Sequence, residues 1–204
     1  MRIRTVGAGL TAVLLAALAG CGTRPAQEAG EAGEARNDRL SSGTLQSRWW
    51  TWASTEPEPT NPVADQNGGS CERNQPEDVW FLAGTFGTYT ERTCTVPGGV
   101  PVAFPLLNRL GEPADCAGFM RTAEGSAVLD GERIAPDIYR GESVEVRSVV
   151  GNPVTGTSGH FTTIACGLWV QLPPLTPGSH TLTIRGRSGD FATGVDYALT
   201  VEAG

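Results

Sequence analysis

The chain has 204 residues, of which 39% are hydrophobic and 18% charged; this excludes a wholly disordered protein and favours one core of about 150 residues. Its basic residues are 15 arginines, with no lysine, and 22 acidic residues leave a net charge of −7. That charge argues against a protein that binds nucleic acid by neutralising phosphates. The 27 glycines and 14 prolines indicate many turns between short elements.

The N-terminus has the pattern of a bacterial lipoprotein signal peptide. Arg2 and Arg4 precede an apolar segment, residues 10–18, which is shorter than the roughly 20 residues that span a bilayer. The Leu-Ala-Gly-Cys run at 18–21 resembles a lipobox, in which cleavage exposes the cysteine and its thiol carries a diacylglyceryl group. An ordinary signal peptide with a coincidental cysteine is the alternative. We expect an extracytoplasmic protein anchored to the cell membrane by lipid on Cys21.

The residues after this signal predict a tether followed by one domain. Residues 25–36 contain no aromatic or β-branched side chain, so they cannot build a core. A flexible coil of about 20 residues reaches roughly 25 Å. The predicted organisation is a signal peptide at 1–20, a disordered tether at 21–43 and a single disulfide-linked, β-rich domain at 44–204.

Four further cysteines predict two disulfides. An even number of cysteines in an oxidising compartment is typical of disulfide pairing, and four allow three connectivities. We favour Cys71–Cys94 and Cys116–Cys166, because each pair links one half of the domain to itself. Free thiols are the alternative. The chain has no Cys-x-x-Cys spacing, which argues against a zinc ribbon or a thioredoxin-like site.

One helix is predicted, over residues 44–55. Thr44 is its expected cap, and the Glu-Pro-Glu-Pro run at 56–59 ends it. The apolar residues that share one face at helical spacing are Leu45, Trp49, Trp52 and Ala53. Trp50 lies off this face, beside Arg48, so we expect its ring to be exposed.

The remaining pattern predicts β-strands. The candidate strands are residues 79–83, 89–96, 100–107, 127–129, 132–134, 144–149, 162–172, 180–185 and 195–201. Pro101 and Pro105 indicate an edge or irregular strand, Asp130-Gly131 predicts a two-residue hairpin, and the last two strands form an antiparallel pair. Residues 175–180 resemble the turn before strand F of immunoglobulin-like sandwiches, which places His180 to bond back across the corner. We expect a mainly β, antiparallel sandwich, immunoglobulin-like or jelly-roll-like, with one short N-terminal amphipathic helix.

Catalytic and metal-binding motifs are largely missing from the sequence. There is no nucleophile elbow, zinc-protease motif, phosphate loop or dinucleotide fingerprint, so we predict no cofactor. Asp65 and Asn67 resemble the start of a calcium loop, but Pro76 stands where the bidentate glutamate belongs. An Asx turn is therefore favoured and no metal is predicted; an improvised site from Asp65, Glu72 and Asp78 is the alternative.

Aromatic side chains suggest where a ligand binds. Aromatic rings stack on sugar rings, and Trp49 and Trp52 belong to the helix face that packs on the sheet. The remaining candidates for ligand binding are Trp50, its neighbour Arg48, and Asp65. The possible partners are an envelope polysaccharide or another protein, together with the membrane through the lipid, but not nucleic acid.

Six sequence blocks resemble an uncharacterised family of secreted and lipid-anchored bacterial proteins, often labelled only as hypothetical or "signal" proteins. The blocks are RWWTW (48–52), NPVADQNG (61–68), VWFLAGTFG (79–87), RTCTVPG (92–98), FPLLN (104–108) and PLTPGSH (174–180). The resemblance covers most of residues 48–201. It implies a single secreted domain and supplies no activity, substrate or catalytic residue.

These observations favour a non-enzymatic binding or structural module of the cell envelope. The alternative is a hydrolase of cell-wall or extracellular glycans that uses an unrecognised pair of carboxylates, for which the acidic residues and the loop at 61–78 supply candidates. Two carboxylates that face each other in a deep cleft favour the hydrolase. A shallow aromatic patch favours binding.

Overall fold

The structure, a computed structural model, describes residues 39–204. Cys21, the signal peptide and most of the predicted tether lie outside the described residues. Residues 39–43, assigned to the tether from sequence, contact the domain: the Leu40 N–H donates to Gln171 Oε1 at 2.8 Å, and Arg39 forms an ion pair with Asp137. Folded structure therefore begins before the predicted boundary at residue 44.

Two β-sheets form the body of the domain. In chain order the elements are α1 Ser42–Ser54, β1 Trp80–Phe81, β2 Tyr89–Val96, β3 Val102–Gly111, α2 Pro113–Met120, β4 Glu124–Leu129, β5 Glu132–Ile134, β6 Asp137–Ser148, β7 Gly159–Leu172, β8 Gly178–Ser188 and β9 Phe191–Val201. The first sheet has the order β1-β3-β7-β6 and the second the order β2-β9-β8-β4-β5. The predicted sandwich is confirmed, although β1–β3 and β2–β9 are parallel pairs.

The first sheet is buried on both faces. Phe104 and Leu168 point into the main core, where they meet side chains of the second sheet such as Leu182. The alternate residues of the same strands, among them Trp169, pack against α1 in a second cluster. Because side chains alternate along a strand, a sheet covered on both faces needs continuous apolar runs, and residues 102–107 and 165–170 provide them.

Helix α1 differs from its prediction at two points. Its cap is Ser41, three residues before Thr44, and Ser41 Oγ accepts from the Thr44 N–H at 3.3 Å. Trp50, expected at the surface, is only 7% exposed. The face of α1 opposite Trp52 is covered too, because Val154 and Phe161 pack against the cluster that contains Trp50.

Helix α1 also covers the edge of the first sheet at β6. Ser47 Oγ donates to the Glu145 carbonyl, and the Arg147 N–H donates to Thr51 Oγ1 at 3.2 Å. The Val149 N–H donates to the Ser54 carbonyl at 3.0 Å. An uncovered edge strand presents unpaired backbone groups to other chains, and these three bonds occupy part of that edge.

Strand β3 is irregular, as its prolines indicate, but it is not an edge strand. It lies between β1 and β7, and the register with β7 shifts between Pro105 and Leu107. Strand β1 pairs only with Val102 and Ala103, so the missing N–H of Pro105 falls beyond the end of β1.

Helix α2 follows β3 and is absent from the sequence prediction. Pro113 occupies its first turn, and the Glu112 N–H donates to Asp115 Oδ2 at 2.9 Å in a capping box. These start signals are visible in the sequence, but the helix has only eight residues. Such a short segment shows little periodicity.

The favoured disulfide pairing is present. Cys71 joins Cys94 of β2, and Cys116 of α2 joins Cys166 of β7. The first bond attaches the loop before β1 to the second sheet. The second attaches α2 to the first sheet.

The β4–β5 hairpin and the bond from His180 back to its own turn agree with the sequence prediction, which did not include the contact between His180 and the hairpin. Asp130 and Gly131 both have positive φ, 50° and 87°, as a type I′ turn requires. His180 Nε2 lies 2.8 Å from the Thr176 carbonyl, and its Nδ1 lies 2.6 Å from Asp130 Oδ2. Because both partners are acceptors, the ring satisfies both contacts only as an imidazolium. The Asp130 carboxylate thus raises the pKa of His180, and His180 lowers the pKa of Asp130.

We expect His180→Phe to destabilise the fold in a pH-dependent way. A raised pKa of His180 stabilises the fold fully at pH values below 6.5, the usual pKa of histidine. This contribution is lost as pH rises through the pKa of His180 in the folded protein. The lowered pKa of Asp130 stabilises the fold above pH 3.8, and this contribution is lost as pH falls through the pKa of Asp130 in the folded protein. The variant should therefore lose about 1 kcal/mol at pH 5, since Asp130 is partly exposed, and less at pH 9. Urea unfolding at both pH values measures this.

His160→Phe is the matched control. His160 Nε2 lies 3.4 Å from Glu145 Oε2, and both side chains are more than half exposed, so the contact contributes little to stability. Equal losses for His180→Phe at pH 5 and pH 9 would show that the imidazolium does not stabilise the turn.

Candidate functional site

The three ligand-binding candidates from the sequence do not form one site. Arg48 lines a groove of about 360 Å³ between α1 and β6, and its Nη1 donates to Asp78 Oδ2 at 3.0 Å. This hydrogen bond lowers the pKa of Asp78. Trp50 lines a separate cavity on another side of α1.

Asp65 is occupied by its own loop. Its Oδ1 accepts from the Asn67 and Gly68 N–H groups at 3.0 and 3.1 Å, and its Oδ2 accepts from the Ser70 N–H at 2.8 Å. This is the favoured Asx turn. Within residues 39–204 no three His, Cys, Asp or Glu side chains come together as a metal site, so Asp65, Glu72 and Asp78 do not form the alternative cation site.

The carboxylates that line the described grooves are not arranged as glycoside hydrolysis requires. The groove between α1 and β6 is lined by one carboxylate, Glu145. Glu91 and Asp196 are register partners on β2 and β9, but Asp196 Oδ2 accepts from Arg185 at 2.8 Å. This hydrogen bond lowers the pKa of Asp196, whereas a general acid needs a raised pKa.

The exposed aromatic side chains lie elsewhere, at one end of the second sheet. Tyr89 is 65% exposed, Phe86 50% and Phe191 37%, whereas all five tryptophans are buried. Tyr89 begins β2 and Phe191 begins the neighbouring strand β9. A flat, exposed ring on a sheet face is suited to stacking on a ligand.

Gly194 makes room for the Tyr89 ring. It is the register partner of Tyr89, and a Cβ built at Gly194 lies 2.5 Å from Tyr89 Cδ1. No side chain larger than glycine fits without displacing the ring. The tyrosine ring therefore lies directly over the backbone of β9.

Arg185 also contacts the Tyr89 ring. Its guanidinium carbon lies 5.6 Å from the centre of the Tyr89 ring, within cation–π distance. The guanidinium donates to the Ile184 and Val195 carbonyls at 2.8 and 3.2 Å and to Asp196. These bonds fix Arg185, and its cation–π contact favours one orientation of the ring before any ligand binds.

A groove of about 300 Å³ runs beside this ring; we call it the Tyr89 groove. It is lined by Tyr89, Glu124, Gly125, Ser126, Arg185, Gly186, Arg187 and Ala192. The small residues leave space, and the far wall is the Arg187–Glu124 pair, in which Arg187 Nη2 donates to Glu124 Oε2 at 2.6 Å. The groove thus combines an apolar ring face with hydrogen-bond donors and a carboxylate acceptor, the combination that a sugar ring requires.

No protein-family model, curated protein or solved structure matches this chain. The family resemblance drawn from the sequence blocks therefore stays a prediction. Within residues 39–204 no helix is long and apolar enough to cross a membrane. The Tyr89 groove is consequently interpreted from its own geometry.

The Tyr89 groove is absent from the sequence prediction, whose ligand-binding candidates were Trp50, Arg48 and Asp65. One signal was available: in β2, alternation places Cys94 and Val96 inward and hence Tyr89 outward. The residues that β4 and β8 contribute to the groove could not be predicted from the sequence, because only the order of strands in the sheet brings Glu124, Arg185 and Arg187 together.

Proposed function

We propose that this protein is an extracytoplasmic, membrane-anchored lipoprotein whose β-sandwich binds an envelope polysaccharide through the Tyr89 groove. The lipobox-like run ending in Cys21 supports the anchor. The two disulfides support an oxidising compartment. The polysaccharide is proposed on one observation above the others: the Tyr89 ring is exposed, lies over Gly194 and is in cation–π contact with Arg185.

The groove chemistry favours binding over catalysis. Rings that are ordered before binding lose little conformational entropy on contact with a ligand. The Tyr89 ring face covers the C–H face of a sugar, while Arg187 donates to its hydroxyls and Glu124 accepts from them. The Glu124 carboxylate is engaged by Arg187, and Glu124 is the one carboxylate in the lining of the groove.

We expect Tyr89→Ala to weaken polysaccharide binding about tenfold, because the stacking surface is lost. Tyr89→Phe should bind nearly as the wild type does, since it keeps the ring. We expect the wild type to need detergent for extraction from membranes, whereas Cys21→Ala should not need it. Affinity electrophoresis through gels that contain soluble neutral glucans, and co-sedimentation with isolated cell-wall sacculi, measure the binding.

Ile138→Ala is the matched control, because Ile138 is an exposed apolar residue on β6 of the first sheet. It should leave binding unchanged. Absence of retention of the wild type by every polymer, or equal retention of Tyr89→Ala, contradicts the proposal.

A further inference from the structure

A second cavity, on the other sheet, has a different chemistry. It measures about 380 Å³ and lies where Trp50 of α1 meets the end of β3, the start of β7 and the loop at 149–157. We call it the Trp50 cavity. The residues that line it include the aromatic residues Trp50 and Phe161 and the polar residues Asn108, Arg109 and three threonines.

Two hydrogen-bond donors at this cavity lack acceptors. The indole N–H of Trp50 and the side-chain amide N–H₂ of Asn108 are buried, and neither has a partner among residues 39–204. Buried donors are rarely left in this state, and such groups often mark a functional position. The indoles of Trp49 and Trp52 donate to backbone carbonyls at 3.0 and 2.8 Å, whereas those of Trp80 and Trp169, which do not line this cavity, also have no partner among residues 39–204.

The charge of the lining also favours an acceptor as the ligand. Arg109 is the one charged residue of the cavity. Its Nη2 reaches Asp115 Oδ1 at a distance of 3.5 Å, and the other carboxylate oxygen of Asp115 caps α2. The guanidinium therefore keeps donors for a second anion, although the chain as a whole is acidic.

The wall of the cavity is rigidly built. Asn152 is buried, and its side chain donates to the Val149 and Thr157 carbonyls at 2.7 and 2.8 Å. Its Oδ1 accepts from the Val154 and Thr155 N–H groups at 3.1 and 2.9 Å. One asparagine thus fixes the loop that closes one side of the cavity.

We infer that the Trp50 cavity binds the carboxylate of a small polar molecule. The carboxylate accepts from Arg109, Asn108 and Trp50, and the rings of Trp50 and Phe161 contact the rest of the molecule. A uronic acid and the C-terminus of a peptide both offer this group, and the cavity volume lies within the range of small-molecule sites. The site is independent of the Tyr89 groove, which lies on the second sheet.

Indole N–H resonances test this inference directly. The detergent-solubilised, ¹⁵N-labelled protein is titrated with methyl glucuronide and, separately, with N-acetyl-alanyl-alanine. We expect at least one of them to shift the Trp50 indole peak, which Trp50→Phe identifies by its absence, while the Trp49 and Trp52 peaks stay in place. The compound that binds more tightly shows whether the natural ligand is a uronic acid or the C-terminus of a peptide. Methyl glucoside and the peptide amide should cause no shift.

Arg109→Gln should weaken the binding of whichever carboxylate shifts the Trp50 peak by at least about tenfold. Arg133→Gln, which removes an exposed arginine on β5, should not. Tyr89→Ala should bind the carboxylate as the wild type does, so failure at one site is distinguishable from failure at the other. No shift with either carboxylate, an equal shift with the neutral analogues, or unchanged affinity in Arg109→Gln overturns the inference.

Discussion

Replacing Arg92 with methionine is expected to lower the free energy of unfolding by about 3–5 kcal/mol. Arg92 is only 2% exposed. Its Nε donates to the Asp65 carbonyl at 2.9 Å, and its Nη2 donates to the Val63 carbonyl at 3.1 Å. Its Nη1 donates to Tyr197 Oη at 3.0 Å and to two further backbone carbonyls, those of residues 83 and 84.

The size of this effect follows from what the side chain leaves behind. Methionine fills much of the volume but donates nothing, so four backbone carbonyls, two of them in buried and two in partly buried bonds, lose a donor. The Ala83 carbonyl keeps one donor, the Tyr197 hydroxyl. A buried polar group without a partner costs about 1–3 kcal/mol. Removing the buried charge itself offsets part of this cost, because within residues 39–204 no carboxylate forms an ion pair with Arg92.

Guanidinium unfolding followed by tryptophan fluorescence measures the loss. Arg133→Met is the matched control: Arg133 is exposed on β5, and its replacement should change stability by no more than about 0.5 kcal/mol. If the free energy of unfolding of Arg92→Met lies within about 1 kcal/mol of the wild-type value, the five hydrogen bonds do not hold the loop to the sheets.

The position of Arg92 could be predicted from the sequence, but its partners could not. Arg92, Cys94 and Val96 are every second residue of β2, so all three side chains point inward. An inward arginine needs acceptors. Its acceptors come from residues 63–65 and 83–84, and neither segment follows a regular period.

Local signals elsewhere identified the elements well. The hairpin at Asp130-Gly131 and the antiparallel pairing of β8 with β9 both follow from short-range patterns, and both are confirmed. The parallel pairing of β2 with β9 joins residues about one hundred positions apart. No local pattern specifies such a pairing.

The candidate site was harder to predict for a related reason. Helical periodicity placed Trp50 opposite the sheet and hence in solvent, but the loop at 149–157 packs over that side of α1. Likewise, the Tyr89 groove draws on β2, β4, β8 and β9. Both errors arise because loops and sheet order determine which outward residues stay exposed.

The Cys116→Ala, Cys166→Ala double variant is expected to lose about 4 kcal/mol of stability. The disulfide closes a loop of 50 residues, and loop-closure entropy gives about that value for such a length. The Cys71–Cys94 disulfide closes a loop of only 23 residues, so the corresponding double variant should lose about 3 kcal/mol. Urea unfolding without reductant compares the three proteins.

In reducing buffer the wild type should converge on the stability of a variant that lacks all four cysteines, whereas without reductant the two should differ. Both disulfides together account for about 7 kcal/mol, which is comparable with the whole stability of an ordinary domain, about 5–15 kcal/mol. The reduced chain is therefore expected to be barely stable, and folding is coupled to oxidation. Equal stability of the wild type with and without reductant would contradict this coupling and, with it, the argument that the fold depends on an oxidising compartment.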